Sequence, residues 1–322
     1  MTINILVLAS SLLFAGCSAE QNQPQAGAPP KVQLALNWFP EAEHGGFYAA
    51  QVHGYYKAQG VEVEILGGGP NAPVIQRVAT GAVAFGITNA DDVLYARAQQ
   101  APVVSLMAPY QINPRCIMVH EKSGIEDIGD LSNLTLAMSQ RPAFSHYLRW
   151  KYPLTGVKIV PYPGNVTQFL LDENFAQQGY IFSEPFVAKS KGGDPRSLLV
   201  ADIGFNPYAS VLIATEETIA AQPDIVKAVV QASVEGWAKY LAEPTQTNRH
   251  INSLNPDMGL DILAYGATES KALILDQTAQ QNGIGDMNVK RWQVLLEQMV
   301  SAGLINKDAV DVQDSFTDRF LP

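Results

Sequence analysis

Short apolar runs alternate with amphipathic stretches along most of the chain. Runs of three to six residues rich in Val, Ile and Leu predict β-strands, and the longer stretches between them predict helices. Repeated βα units of this kind favour mostly parallel sheets with helices on both faces. The predicted strands cover 32–36, 61–66, 83–87, 103–108, 117–119, 134–138, 158–160, 179–182, 198–200 and 210–214.

The pattern becomes helical after Thr215. Pro223 suits the first turn of a helix, and this helix is predicted to run to about Leu241. A second amphipathic helix is predicted over 288–302, with Gly303 as its stop. The chain is therefore predicted to fold as an α/β protein with a helical C-terminal part.

The N-terminal residues predict export. An apolar run from Ile5 to Phe14 is too short to span a bilayer, and small residues follow it directly before Cys17. This pattern predicts a lipoprotein signal over 1–16 and lipidation of Cys17. A cleaved signal without a lipid is the alternative. The Gln-, Ala- and Pro-rich residues up to position 30 predict a flexible tether.

Composition narrows the possible functions. The 322 residues are enough for two lobes with a cleft between them. A formal charge of −10 without a Lys/Arg cluster argues against a nucleic-acid partner. The histidines and cysteines show no metal-ligand spacing, so neither a metal site nor a cofactor is predicted. If Cys17 carries a lipid, only Cys116 remains, and no intramolecular disulfide can form.

The segment from Leu36 to Tyr48 is the strongest candidate for a binding site, because it lies between a predicted strand and a predicted helix. Trp38 and Tyr48 have flat faces that could stack on a planar ring, although Trp38 could instead belong to the core. Asn37 offers a donor and an acceptor. His44 could donate to a ligand or cap the following helix.

Further candidates follow other predicted strands. Asn89 could contact a ligand or cap a helix, and Glu184 could accept from an amine or act as a cap. The adjacent pair Asp91 and Asp92 is interpreted as helix-start charge, not as a catalytic dyad. The remaining candidates near strand ends are Gln111, Ser139 and Tyr162, with Tyr110 and Tyr208 as secondary candidates.

Several motifs resemble those of one protein family. Asn37-Trp38 with Pro40 and His44, and Gly81-x-Val83-x-Phe85-Gly86-Ile87, are similar to the NMT1/THI5-like and SsuA-like substrate-binding proteins of ABC importers. The similarity continues through the Ser183-Glu184-Pro185 turn to Arg291-Trp292 and the tail at 316–321. The opening and the tail most resemble the binders of thiamine pyrimidine precursors and of riboflavin.

The resemblance implies a type II periplasmic binding protein, with two doubly wound lobes, a ligand cleft and two crossovers. Lobe 1 would hold 31–117 and 207–322, and lobe 2 would hold 118–206. The implied function is capture of a planar nitrogen heterocycle, such as a formylaminopyrimidine or hydroxymethylpyrimidine, for an ABC permease and its ATPase. The protein would be a monomer in the periplasm or at the cell surface, tethered through Cys17.

Three alternatives are open. The ligand could be riboflavin, or a sulfonate, taurine or nitrate, although the loop after residue 138 reads Ser-Gln-Arg-Pro-Ala, without the glycine that anion-binding relatives tend to have. The receptor could feed a sensor instead of a transporter. Fungal pyrimidine synthases resemble this chain at Asn37, Trp38 and His44, but the position of their Schiff-base lysine is Thr88 here, which implies no enzymatic activity.

Overall fold

The computed structural model describes residues 28–322. The predicted signal over 1–16, the lipidation site Cys17 and the tether up to residue 27 lie outside the described residues and stay predictions. No helix within 28–322 is long and apolar enough to cross a membrane. The same residues contain no cluster of His, Cys, Asp and Glu side chains that could hold a metal ion.

Strands and helices alternate through most of the chain. The strands are β1 (Lys31–Ala35), β2 (Glu62–Leu66), β3 (Phe85–Thr88), β4 (Val103–Met107), β5 (Arg115–His120), β6 (Thr135–Ala137), β7 (Lys158–Val160), β8 (Phe175–Tyr180), β9 (Pro195–Leu199) and β10 (Val211–Thr215). The helices are α1 (Gly45–Val52), α2 (Tyr55–Ala58), α3 (Val74–Ala79), α4 (Ala90–Ala98), α5 (Ala143–Lys151), α6 (Thr167–Leu171), α7 (Glu184–Ser190), α8 (Glu216–Ala221), α9 (Pro223–Ala242), α10 (Thr245–Leu254), α11 (Leu260–Ile274), α12 (Gln277–Asn282) and α13 (Val289–Ser301).

The strands form two five-stranded sheets, ordered β2-β1-β3-β10-β4 and β7-β6-β8-β5-β9. In the first sheet β10 runs antiparallel to both of its neighbours, and in the second sheet β5 does the same. The other strands of each sheet share one direction, as the alternating pattern predicts. The chain crosses from the first sheet to the second before β5, and it returns to the first sheet before β10. Each reversed strand is therefore the first strand after a crossing.

The strand predictions are confirmed in number and order, with two corrections. The strand predicted at 179–182 lies at 175–180, because its polar Gln177 and Gln178 are buried in the sheet and obscure the apolar signal. The strand predicted at 117–119 begins at Arg115. The predicted lobe boundary at 117/118 therefore falls inside β5, which pairs as a whole with the second sheet. A first crossing between Met107 and Arg115 fits the strands better.

The helical predictions for the C-terminal part are confirmed. Helix α9 begins at Pro223 and continues to Ala242. The side chain of Asn288 caps α13 by accepting a hydrogen bond from the backbone N–H of Arg291 at 3.0 Å. Gly303 follows α13 in the left-handed region, with φ of 73°, which explains why the helix stops there.

Helices α1 and α9 pack together in the core of the first lobe through glycine. A Cβ atom placed on Gly236 would lie 2.2 Å from the carbonyl oxygen of Gly46. One placed on Gly46 would lie 2.1 Å from the indole of Trp237. The close approach buries Phe47 and Trp237 completely, and it fixes α1, whose preceding turn carries the candidate site residues.

Arg291 joins the two chain segments that connect the sheets. Its guanidinium donates from Nε and Nη2 to the carbonyl oxygen of Asn206 at 3.0 and 2.9 Å, and from Nη1 to Gln111 Oε1 at 3.3 Å. Asn206 Oδ1 in turn accepts from the backbone N–H of Asn113 at 2.8 Å. Because Gln111 and Asn113 lie in the first connection and Asn206 in the second, we call this group the hinge network.

Candidate functional site

A cleft of about 1340 Å³ lies between the facing edges of the two sheets. Parallel strands bring their carboxyl ends to one edge, and a reversed strand brings its amino end to that same edge. The residues after β1 and β3, and the first residue of β5, therefore meet in the cleft from opposite sides. The strand order thus explains why residues far apart in sequence line one cavity.

Six of the nine predicted ligand-binding residues line this cleft: Asn37, Trp38, Asn89, Ser139, Tyr162 and Glu184. His44, Tyr48 and Gln111 do not. The cleft is also lined by residues that sequence reasoning did not nominate, and five of these matter below: Glu41, Glu43, Arg115, Gln178 and Tyr180.

Trp38 follows β1, is partly exposed and lines the cleft. The ring of Phe39 meets it edge-on, with 5.5 Å between the ring centroids. The backbone is held by a hydrogen bond from the N–H of Gly68 to the Trp38 carbonyl oxygen at 2.9 Å. A Cβ on Gly68 would lie 2.2 Å from the carbonyl oxygen of Leu36, so this glycine permits the close approach. Trp38 is therefore not a core residue.

Tyr48 does not form a second aromatic wall. Its side chain is 1 % exposed and belongs to the core of the first lobe, where it meets His250 edge-on at 5.7 Å. Burial raises the pKa of its hydroxyl. The prediction that Tyr48 stacks on a ligand is not supported, because helix α1 turns this residue towards the core.

His44 forms a hydrogen bond with the side chain of Asn37. It is fully buried, and its Nε2 lies 2.9 Å from Asn37 Oδ1. Burial lowers the pKa of its imidazole, so the ring is neutral near pH 7. The side chain of His44 makes no cap hydrogen bond to α1. It therefore orients the Asn37 amide, which faces the cleft, and does not itself reach a ligand.

Asn89 is held by Ser210, the residue before β10. Its Oδ1 accepts from the backbone N–H of Ser210 at 3.2 Å, and its side chain makes no cap hydrogen bond to α4. The Ser210 hydroxyl donates to Glu43 Oε1 at 2.7 Å, and Asn37 Nδ2 donates to the same oxygen at 3.4 Å. The two candidate amides are thus joined through Ser210 and Glu43 into one ordered network.

Gln111 belongs to the hinge network and not to the cleft. It is 1 % exposed, and its Nε2 donates to the carbonyl oxygens of Ala108 and Asp286 at 3.1 and 2.9 Å. Its Oε1 accepts from Arg291. All of its hydrogen-bonding groups face protein, so the prediction that Gln111 contacts a ligand is not supported.

Glu184 anchors the second-lobe side of the cleft. It accepts hydrogen bonds from the hydroxyl of Tyr162 and, at 2.8 Å, from the backbone N–H of Tyr180. Arg115 lies beside this pair, with its guanidinium 4.7 Å from the Tyr180 ring and 4.5 Å from the Phe144 ring. These contacts order Tyr162, Tyr180 and Arg115 before any ligand arrives.

The cleft is acidic. Its lining includes the carboxyl groups of Glu41, Glu43, Asp91, Asp92 and Glu184 but only two guanidinium groups, those of Arg115 and Arg141. Such an excess disfavours an anionic ligand and favours one that presents hydrogen-bond donors or positive charge.

One backbone donor that an oxyanion would need is already bonded. The N–H of Ser139 donates to Gln178 Oε1 at 2.7 Å. The N–H of Ala143, in the first turn of α5, lowers the pKa of Asp91, so the Asp91 carboxyl group lies close to the start of this helix. A helix N-terminus that faces a carboxylate of the protein is not free to bind sulfonate or nitrate.

Burial beside Asp92 raises the pKa of Asp91 to about 7, although Arg115 partly opposes this shift. A carboxyl group whose pKa is higher in the folded state stabilises the fold fully only below its unfolded pKa, near 3.8, and loses that contribution as the pH rises to about 7. Asp91→Asn should therefore flatten the pH dependence and raise the free energy of unfolding at pH 8 by on the order of 1–4 kcal/mol. Thermal melts at pH 5 and pH 8 measure this effect.

Asp224→Asn is the matched control, because Asp224 also lies in the first turn of a helix but is exposed. It should leave the pH dependence unchanged. Equal pH dependence in Asp91→Asn and the unmodified protein would show that Asp91 is ionised throughout this range in the folded state.

The family model described as NMT1/THI5 like matches residues 41–247. Riboflavin-binding protein RibY from Chloroflexus aurantiacus is 29 % identical, with 100 % of this chain and 97 % of that protein covered. A formylaminopyrimidine-binding protein from Halalkalibacterium halodurans is 23 % identical, covering 98 % and 99 %. A 4-amino-5-hydroxymethyl-2-methylpyrimidine phosphate synthase from Legionella pneumophila is 22 % identical, covering 91 % and 92 %. Binding proteins and an enzyme thus both occur among the relatives.

The crystal structure of the periplasmic aliphatic sulphonate binding protein SsuA from Escherichia coli superposes with a TM-score of 0.70. It is 13 % identical to this chain, and the match covers 90 % of this chain and 92 % of that one. The predicted fold class, the two-lobed fold of periplasmic binding proteins, is therefore confirmed.

Proposed function

This chain belongs to the NMT1/THI5-like family, and from that premise we propose that it is an extracytoplasmic solute-binding protein whose cleft captures a planar nitrogen heterocycle. The observation that carries the proposal is the pairing of an accessible indole, Trp38, with an edge of amide and carboxyl groups. A planar ring can stack on the indole while its nitrogen atoms bond to that edge.

The favoured ligand class is a thiamine pyrimidine precursor with an exocyclic amine. Glu184 is fixed by two donors and lies on the second-lobe wall, where it can accept from such an amine. The formylaminopyrimidine-binding relative supports this class. Riboflavin is the second candidate, because the cleft volume of about 1340 Å³ leaves room for a three-ring system and a relative is named for binding it.

We propose binding without catalysis. Thr88, at the position of the Schiff-base lysine in the resembling synthases, lines the cleft, and its hydroxyl donates to Asp92 Oδ2 at 2.9 Å. A hydroxyl cannot form an imine. No lysine and no cysteine lie among the described residues that line the cleft.

The proposed partners are an ABC permease and its ATPase, with the protein held at the membrane through a lipid on Cys17. A ligand that contacts both lobes favours the closed arrangement by its differential affinity for it. Asn37 and Trp38 precede the first crossing, and Glu184 lies between the crossings, so a ligand that contacts all three residues would bridge the lobes. The permease would recognise the closed form.

Thermal-shift measurements with an aminopyrimidine, riboflavin, taurine and nitrate test this function. A ligand that binds only the folded state raises the melting temperature by mass action. Stabilisation by a ring compound is expected. Stabilisation by taurine or nitrate alone would contradict the proposal and support an anion-binding receptor.

A further inference from the structure

Glu41 is a buried carboxyl group that lines the cleft without a donor from the protein. Its side chain is 5 % exposed, and within residues 28–322 its hydrogen-bonding neighbour is the carboxyl group of Glu43, which has no N–H to donate. Buried polar groups are normally satisfied, and leaving one unpaired costs free energy. A carboxyl group in this situation is suited to receive a partner from a ligand.

Glu43 is the closest acidic neighbour of Glu41. It is 2 % exposed, and its Oε1 already accepts from Ser210 and Asn37. Burial, together with the nearby Glu43 and Glu184, raises the pKa of Glu41 well above its ordinary value. The ionised form of Glu41 is therefore less favourable than that of an exposed glutamate.

We propose that the buried carboxyl group of Glu41, which opens onto the cleft, recognises the amidine edge of the heterocycle, where an amino group stands next to a ring nitrogen. This inference rests on the proposed function and names the chemical group that the cleft selects. A carboxylic acid offers one donor and one acceptor side by side. Its O–H donates to the ring nitrogen, and its C=O accepts from the amino group.

The proton balance of this contact predicts how binding depends on pH. The contact contains one proton, held between the Glu41 carboxyl group and the ring nitrogen. At a pH where the free carboxyl group and the free heterocycle have both lost this proton, binding must take one up, and the affinity falls by up to about tenfold per pH unit.

Other charged and titratable groups face Glu41 and Glu43 from each element packed around them. His44 lies in the same turn, and burial lowers the pKa of its imidazole. Burial raises the pKa of the neighbouring tyrosines well above neutral pH, so they do not change charge between pH 5 and pH 9. Those tyrosines are Tyr240 of α9, Tyr110 of the first connection, Tyr162 in the loop after β7, and Tyr180 at the end of β8. Arg115 and Glu184 complete the surroundings from the second lobe.

Calorimetric titration of the purified protein with 4-amino-5-hydroxymethyl-2-methylpyrimidine, from about pH 5 to about pH 9, tests the inference. The affinity of the unmodified protein should fall towards high pH. In Glu41→Gln the amide keeps one donor and one acceptor at every pH, so this fall should be lost. In Glu41→Ala the affinity at pH 6 should fall at least about tenfold.

Glu217→Gln, at an exposed site on α8, is the control and should follow the unmodified protein. If the pyrimidine binds but Glu41→Gln keeps the original pH dependence, or Glu41→Ala keeps the original affinity, this inference is overturned and the proposed function stands. If neither the pyrimidine nor riboflavin binds at any pH while taurine or nitrate does, the proposed function itself fails.

Discussion

Replacing Trp38 by alanine is expected to weaken heterocycle binding about 30-fold or more, since truncating a central aromatic anchor of a binding site commonly costs about 2 kcal/mol. The indole supplies an apolar face and a stacking partner, the latter worth about 0.5–1.5 kcal/mol beyond the buried area. Trp38 is only partly buried, so its removal leaves the core intact. Titration with the ligand that gives the largest thermal shift measures the loss.

Phe39→Ala is the matched control for this prediction. Phe39 is the neighbouring aromatic residue and is 45 % exposed, but it does not line the cleft. Its replacement should change affinity only slightly. If Trp38→Ala and Phe39→Ala bind the ligand equally well, the ring does not stack on Trp38.

Arg291→Ala is expected to lower the free energy of unfolding by about 2–4 kcal/mol, because it removes the cation that joins both connections. The carbonyl oxygen of Asn206 and the Oε1 of Gln111 would each lose a charged donor. The guanidinium also lies 3.8 Å from the ring centroid of Tyr208, and this contact would be lost too. Urea unfolding at equilibrium measures the change.

Two further variants test whether this loss of stability comes from the hydrogen bonds of the Arg291 guanidinium. Lys290→Ala alters the exposed neighbouring residue on α13 and should unfold like the unmodified protein. Arg291→Lys keeps the charge but cannot reproduce three hydrogen bonds from one planar group, so its stability should be intermediate. Equal stability of Arg291→Ala and Lys290→Ala would show that the hinge network contributes nothing to folding.

The alternation of apolar runs predicted the fold well, because buried strands in α/β sheets are nearly continuous apolar stretches. It failed at β8, where Gln177 and Gln178 replace apolar residues inside the sheet. Gln178 has a specific role there, since its side-chain oxygen accepts a hydrogen bond from the backbone N–H of Ser139 at the cleft. A polar residue buried for such a purpose gives no periodic signal.

The candidate site was only partly predictable. Strand ends located Asn37, Trp38, Asn89 and Glu184 at the cleft, because the carboxyl ends of parallel strands converge. Whether Tyr48 faces the cleft or the core depends on the rotation of α1 against α9, which the sequence does not specify. The following residues required the three-dimensional structure: Glu41, Glu43, Arg115 and Tyr180.

A signal for some of these residues was present in the sequence. Glu41 and Glu43 are the two acidic residues in the strand-to-helix junction from Leu36 to Tyr48. Arg115 is an isolated basic residue directly before an apolar strand. Charged side chains that break an apolar pattern at a strand end are candidates for a cleft, because burial elsewhere would leave them unpaired.

The most direct test of the central claim is a crystal structure of the protein with the heterocycle that stabilises it most. The account predicts the ring between the two sheets, offset-stacked on the Trp38 indole, with its polar edge towards Glu41 and Glu184. The account would be contradicted by a ring bound away from Trp38, or by a sulfonate or nitrate occupying the cleft against the N–H groups of Ser139 and Ala143.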